Sequence, residues 1–363
     1  PNRVVPPHRH EGLRLLVAQF ESPIMLILVV ATVLAMSLGD LADGAIILAI
    51  IAASGTLGFL QERAAGRAVD ALLDQVEVQV ERNNVLWDVL EANPPEAAIG
   101  CQNDLLERIP LDTLPDGADG TPAQEDFYPG TLHECGVGSA VYSWLLAYNP
   151  KHFPDNEPTS VTDLFDVEKF PVRRGLLKAA RGTLEIALMS DGVAKDEIYD
   201  LLKTQEGLDR AFAVLDRAQD HIVWFDTSSQ GAQLLADGEV NMIIAHNGRI
   251  FEAVENENQP FKIAWGDQIW TAGMMIVTKG TPLRDLAMDY VRYAQSAEAQ
   301  ARFTNIMPYA PTRKSAMQFV DPKMYPYLST HEDNFGSAMA LDTEFWTEYG
   351  ESVAVQFNNW LAR

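Results

Sequence analysis

The run Ala140-Val-Tyr-Ser-Trp-Leu-Leu-Ala147 sets the fold class. It is a short apolar stretch and predicts a buried strand. Working outward, Val85-Leu-Trp-Asp-Val-Leu90, Val240-Asn-Met-Ile-Ile-Ala245 and Met274-Met-Ile-Val277 predict strands of the same kind. Between them Gly182 to Met189, Gly207 to Gln219, Pro282 to Gln295 and Ala297 to Asn305 predict helices, several opened by Thr, Ser or Pro as helix starts require. Strands alternating with helices mean an α/β architecture. Asp112 to Gly130, rich in Gly, Pro and acidic residues, predicts a surface loop.

The chain has 363 residues, enough for two or three domains with a sizeable core. Its net charge of −24 is unevenly spread. Residues 1–80 hold 5 Arg, no Lys and 8 acids, so the remainder carries most of the negative charge. Such a field repels nucleic acid, which excludes DNA and RNA as partners. The two cysteines, Cys101 and Cys135, have no spacing suited to zinc. They are either one disulfide in an oxidising compartment or two buried thiols in a reducing one.

Composition breaks near residue 80. Before the break lie two uncharged apolar runs, Ser22 to Gly39 and Gly44 to Gln61, each 18 residues long. As helices rising ~1.5 Å per residue they would span about 27 Å, close to the hydrocarbon thickness of a bilayer. They predict a transmembrane hairpin, with Arg3, Arg9, Arg14, Arg63 and Arg67 placing both ends in the cytoplasm. A cleaved signal peptide ending near Ala35-Met-Ser37 is the rival, and the second run argues against it. From Gln61 a helix leaves the membrane, and the alternating Val76-Glu-Val-Gln-Val80 predicts a strand. The segments His10-Glu-Gly-Leu-Arg-Leu-Leu-Val-Ala-Gln-Phe-Glu-Ser-Pro23 and Gly58-Phe-Leu-Gln-Glu-Arg63, with the hairpin between, resemble the first two membrane helices of cation-transporting P-type ATPases, including the magnesium-transporting group. That family's phosphorylation and dephosphorylation motifs do not occur, which excludes ATP-driven pumping.

After the break the chain resembles the periplasmic solute-binding proteins of ABC transporters, specifically the spermidine/putrescine-binding family. The resemblance is carried by Trp87-Asp-Val-Leu-Glu91, Glu134-Cys-Gly-Val-Gly-Ser139, Pro158-Thr-Ser-Val-Thr-Asp-Leu-Phe165, Thr183-Leu-Glu-Ile-Ala-Leu-Met-Ser-Asp-Gly-Val193, Gln233-Leu-Leu-Ala-Asp-Gly-Glu-Val240, Asn247-Gly-Arg-Ile250 and Pro308-Tyr-Ala-Pro-Thr312, in order over about 280 residues. It implies a two-lobe, type II binding-protein fold that closes on solute about a hinge. Residues 81–148 and 268–315 would form lobe one, and 149–267 with 316–363 lobe two. The match starts near Glu81, so the family's opening stretch of lobe one is expected to be missing, with the hairpin in its place. The implied partners are a small charged solute, a polyamine first, and an ABC permease, with the membrane engaged through the hairpin. The family is periplasmic, whereas the hairpin's charges would put the soluble part in the cytoplasm.

A polyamine site needs carboxylates for ammonium groups and aromatic faces for the methylene chain. Carried over residue by residue, a cleft loop falls on Glu91-Ala-Asn93 and the family's paired carboxylates of lobe two fall on Ala179 and Gly182, leaving Glu185 as the substitute. A family Trp falls on His246, and a Trp-x-Asp falls on Thr271 and Gly273, while a Tyr survives as Tyr309. The candidate ligand residues are therefore Glu91, Asn93, Ser139, Tyr142, Glu185, His246, Trp270, Tyr309 and Trp346. The basic stretch with Arg173, Arg174, Lys178 and Arg181 is either a solvated face or a site for an anionic ligand. No cofactor, metal ligand or catalytic residue is expected: GxSxG, HExxH and GxxxxGK are all absent, and Gly136-Val-Gly138 lacks the third glycine of a dinucleotide fingerprint. The competing expectation is an inactive membrane-anchored chimera of two transport genes. A transporter subunit that works only as an oligomer is the third.

Overall fold

The computed structural model of the chain describes residues 72–363. The two expected membrane spans at 22–39 and 44–61 lie outside the described residues. Among the described residues no helix is long and apolar enough to cross a membrane.

The expected strand at Val76–Val80 is instead part of a helix over residues 72–81. Leu73 and Val76 are buried there while Val78 is 43% exposed. Two periods compete in this stretch, and the i, i+4, i+8 spacing of Leu72, Val76 and Val80 gives an apolar helical face that joins a core with Ala97, Leu105 and Ile276. Tertiary packing overrides the local alternation.

Among the described residues eight strands form one mixed sheet: β1 (Val89–Ala92), β2 (Leu132–His133), β3 (Gly136–Tyr148), β4 (Arg174–Leu177), β5 (Ile222–Phe225), β6 (Met242–His246), β7 (Lys262–Val277) and β8 (Met339–Ala340). The path is β1-β7-β3-β6-β4-β5, with β2 added to β3 and β8 to β7. Neighbours are antiparallel from β1 to β6, whereas β6, β4 and β5 run parallel. Parallel neighbours need crossovers, which the helices Thr183–Ser190, Gln205–Ala218 and Ser228–Ala236 supply. The longest of these, Gln205–Ala218, starts where Thr204 Oγ1 accepts from Gly207 N at 3.0 Å, and it buries Leu208, Ala211, Phe212 and Leu215 along one face.

β3 and β7 are 13 and 16 residues long, far above the usual strand length of about 5–6. Their extra length joins two halves of the sheet. At one end β1 pairs with the last residues of β7, from Val89↔Val277 to Ala92↔Met274. At the other, β6 pairs with the second half of β3, from Trp144↔His246 to Tyr148↔Met242. The β3–β7 register shifts between Gly138 and Ala140 and between Trp144 and Leu146, and such shifts add local bend and twist. Each half has its own core, one around Val76, Ala92 and Ile276, the other around Leu145, Val240 and Ile243.

The basic stretch at 173–181 is not a uniformly solvated face. Arg174 opens β4 with no exposed surface, and its guanidinium donates to the carbonyls of Leu164, Phe170 and Val172. Burial of this cation is tolerated because its donors are satisfied.

Candidate ligand site

Strand alternation on β3 puts Tyr142 and Trp144 on one face of the sheet and Ser143 on the other. The Trp144↔His246 register then brings His246 of β6 beside them. Ring centroids lie 5.6 Å apart for Tyr142 and Trp144, 5.0 Å for Tyr142 and His246, and 5.3 Å for Trp144 and His246. Tyr309, from the loop after the helix Ala297–Thr304, joins at 6.3 Å from Tyr142. It lies so close to Gly248 that a Cβ there would stand 2.6 Å from Tyr309 Cζ.

The opposite wall comes from β1 and the turn after it. Tyr142 donates its phenol proton to Asn93 Oδ1 at 2.6 Å. Asn93 stands at the N-cap of the helix Pro94–Gln102, yet its side chain makes no cap bond there, so its amide oxygen serves Tyr142. Ser139 Oγ donates to Glu91 Oε1 at 2.8 Å. That carboxylate occupies the room above Gly273, where a Cβ would come within 2.1 Å of Glu91 Oε1. One turn into the helix, Glu96 Oε1 accepts from an Arg181 Nη2 at 3.1 Å. Arg181 also stacks over the indole of Trp346, 5.3 Å from ring centroid to guanidinium carbon.

Glu185 has no exposed surface and does not present its carboxylate to this space. Its Oε2 accepts from Gly182 N at 2.9 Å, while its Oε1 accepts from Trp346 Nε1 at 2.8 Å and from the Tyr199 hydroxyl at 3.3 Å. It anchors Trp346, which in turn supports Arg181. Trp270 is also elsewhere, because its β3 neighbour in register is Ser143 and not Tyr142. It packs against Phe335 at 5.7 Å and Tyr128 at 6.3 Å, a second aromatic group across the sheet. Glu91, Asn93, Ser139, Tyr142, His246 and Tyr309 therefore converge, Glu185 and Trp346 stand behind them, and Trp270 stands apart. Glu96 and Trp144 were not singled out by sequence, and Arg181 was read only as part of a basic run.

Burial is the main force on the titratable groups here. It raises the Tyr142 phenol strongly, opposed first by the positive charge of Arg181 and reinforced by Glu96 and Glu91. It pushes the His246 imidazole down to about 4, with Arg249 adding to the effect, so His246 is neutral near pH 7. It pushes Glu185 up to about 7 against four hydrogen bonds that favour its ionised form, from its own backbone, Trp346, Gly182 and Tyr199. Next to this cluster Trp144, Arg181, Thr183, Phe225, Ser228 and His246 line a recess. Thr183 and Ser228 are first residues of helices whose N-termini are capped from within, one by Glu185 and the other by Gln230, which leaves the Arg181 guanidinium as the charge on this recess.

Cys101 and Cys135 form a disulfide. Among the described residues they make, with Glu134, the one His/Cys/Asp/Glu group with metal-like spacing. With its two sulfurs bonded to each other, that group offers no thiolate pair to a metal.

Comparison with known proteins gives a consistent picture. The family model of the bacterial extracellular solute-binding proteins matches residues 62–330, beginning ahead of Glu81 and inside the stretch read as an exit helix. The chain is 38% identical over 289 residues to a gamma-aminobutyric acid-binding protein of Pseudomonas aeruginosa, covering 80% of each chain. Among solved structures it is similar to the PBP MotA from A. tumefaciens B6 in complex with glucopine, with a TM-score of 0.70, 27% identity, and 82% of this chain and 96% of that one covered. It is equally similar to a solved GABA receptor, with a TM-score of 0.70, 28% identity, and 83% and 95% covered.

Proposed function

The chain belongs to the bacterial extracellular solute-binding proteins and is the solute-binding protein of an ABC transporter, and on that footing we infer that its solute is a short amino acid with a terminal ammonium and a carboxylate. The observation that carries this reading is the pairing of charges across the site. Glu91 and Glu96 lie on the wall built by β1 and its helix, while Arg181 lies on the wall built by β4, with Tyr142, Trp144 and Tyr309 between them. Carboxylates suit an ammonium, a guanidinium suits a carboxylate, and aromatic faces suit the methylenes. The relatives that bind gamma-aminobutyric acid support the same ligand class.

The polyamine reading stands second, supported by the two carboxylates, Glu91 and Glu96, whose charges both bear on Tyr142. A diamine, however, sets its second cation against Arg181, which costs Coulomb energy in a partly dry site. Capture proceeds without catalysis, by closure of two lobes, 81–148 with 268–315 and 149–267 with 316–363, about β3 and β7. The Cys101–Cys135 disulfide supports a location outside the reducing cytoplasm, in keeping with a periplasmic family. Titration calorimetry of the full chain with gamma-aminobutyric acid, putrescine and spermidine tests the assignment. Saturable heat with the amino acid is the expected result, and tighter binding of either polyamine would reverse the order of the two readings.

A further inference from the structure

We propose that Glu185 is a positioning residue for solute capture: its ionised carboxylate holds the wall behind Arg181, and a single proton taken up there loosens that wall and weakens the solute. This rests on the solute-capture reading above. The hydrogen bonds around Glu185 leave no place for that proton. Its Oε2 accepts from Gly182 N at 2.9 Å, and its Oε1 from Trp346 Nε1 at 2.8 Å and from the Tyr199 hydroxyl at 3.3 Å. The amide and the indole are donors only, so a hydrogen on Oε2 opposes Gly182 and one on Oε1 opposes Trp346 or Tyr199. The phenol cannot simply turn round, because its oxygen already takes the backbone N–H of Asp342. Protonation therefore breaks a bond.

The donors released adjoin the solute wall. Arg181 stacks 5.3 Å over the Trp346 ring, and Gly182 joins Arg181 to the helix that carries Glu185. Charged groups on the neighbouring elements are engaged elsewhere. The helix Gln205–Ala218 turns apolar Leu208, Ala211 and Leu215 inward, while its Arg210 and Arg217 reach Asp191 past the far end of the Glu185 helix. Asp163 of Val161–Phe165 is held by Thr159, Ser160 and Lys169, Asp342 accepts from Phe345 N, and Arg181 bonds Glu96. Burial and hydrogen bonds are the main influences on Glu185, with no charged side chain among them, and they place its titration at about 7. Linkage then fixes the sign: a proton that weakens the solute is expelled by it. Affinity is full above about pH 7 and falls as pH drops through that value.

The experiment is calorimetry of gamma-aminobutyric acid binding to the full chain and to its Glu185→Gln and Trp346→Phe variants, each checked for folding by its thermal midpoint. Titrations run between about pH 5.5 and 8 in buffers of different ionisation enthalpy, which counts the protons released. The probe keeps both charges over that range, since a carboxyl and an amine titrate near about 4 and about 10. His246, held at about 4, stays neutral across it. Wild type is expected to bind about tenfold more weakly at the acid end, the factor for one unit of pKa difference between free and loaded protein, and to release a fraction of a proton near neutrality. Glu185→Gln sets an amide donor against Gly182, so it should bind weakly at every pH and release none. Trp346→Phe keeps a ring under Arg181 without the N–H and should reduce the release. Should Glu185→Gln not fold, the wild-type proton count set against Trp346→Phe decides alone. Proton uptake on binding, or equal profiles and counts for wild type and folded variants, overturns the proposal and leaves solute capture standing. A wild type that binds no gamma-aminobutyric acid at any pH overturns the solute reading and the proposal with it.

Discussion

Trp346 donates its indole proton to Glu185 Oε1 at 2.8 Å, and the accepting carboxylate has no exposed surface. Burial raises this group to about 7 from an ordinary 4.5. Below the unfolded value both states carry the proton and nothing is lost. As pH rises from there to 7 the unfolded chain releases the proton first, so stability falls, and above 7 the loss is complete. The full loss is about 3 kcal/mol. Denaturant unfolding of wild type and Glu185→Gln between pH 4.5 and 8 should therefore show the variant gaining on wild type by that order. A pH-independent difference would remove the assignment.

Gly182 separates Arg181 from the helix that carries Glu185. Its φ is +83°, a left-handed conformation that side chains disfavour, and a Cβ there would meet Trp144 Cδ1 at 2.8 Å. Gly182→Ala combines backbone strain with displacement of Trp144 from His246, and a destabilisation of about 1–3 kcal/mol is expected. Solute affinity should drop with it, since Trp144 and Arg181 both move. An unchanged unfolding midpoint together with unchanged affinity would show that neither constraint operates.

The disulfide ties the helix Pro94–Gln102, which carries Glu96, to the start of β3, across 34 residues of chain. Closing a loop of that length restricts the unfolded chain by about 3–4 kcal/mol. Reduction, or the double change Cys101→Ala and Cys135→Ala, should lower stability by that amount. Solute affinity at low temperature should change little, because the bridge touches none of Glu91, Asn93 or Tyr142. A reduced protein as stable as the oxidised one would contradict this.

Local pattern was sufficient for continuous apolar strands and for helices with a clear apolar face. The strand at 140–147, the segment Met274–Val277 and the helices near 183, 205, 284 and 297 emerge within a few residues of their predicted positions. Val76–Val80 did not, because its alternation and its helical face coincide and only packing against Ala97 and Ile276 decides between them. The site was legible where strand neighbours create it, as for Tyr142 and His246. It was not legible where partners are far apart in sequence. Glu96 meets Arg181 across 85 positions and Glu185 meets Trp346 across 161, and no spacing rule links such pairs. Trp270 failed for a register reason: a one-residue offset on β7 sends its ring to the opposite face from Thr271, which pairs with Tyr142.

His246 and Glu185 impose opposite slopes on stability. The imidazole is held at about 4, below its ordinary 6.5, chiefly by burial among Tyr142 and Trp144. A depressed histidine contributes stability that is fully present above the unfolded value and is lost as pH falls from about 6.5 toward 4. Over much of the same window Glu185 gains what His246 loses, so the wild-type midpoint should vary little between pH 5 and 6.5. Removing one group unmasks the other. Glu185→Gln should leave a protein whose midpoint falls steadily on acidification, whereas His246→Asn should leave one whose midpoint falls on going from pH 5 to 7. Thermal scans of the three proteins in matched buffers measure this directly. Parallel curves for all three would mean that the two groups titrate alike in the folded and unfolded chain, and the site would then be far wetter than the contacts around Tyr142 and Trp346 require.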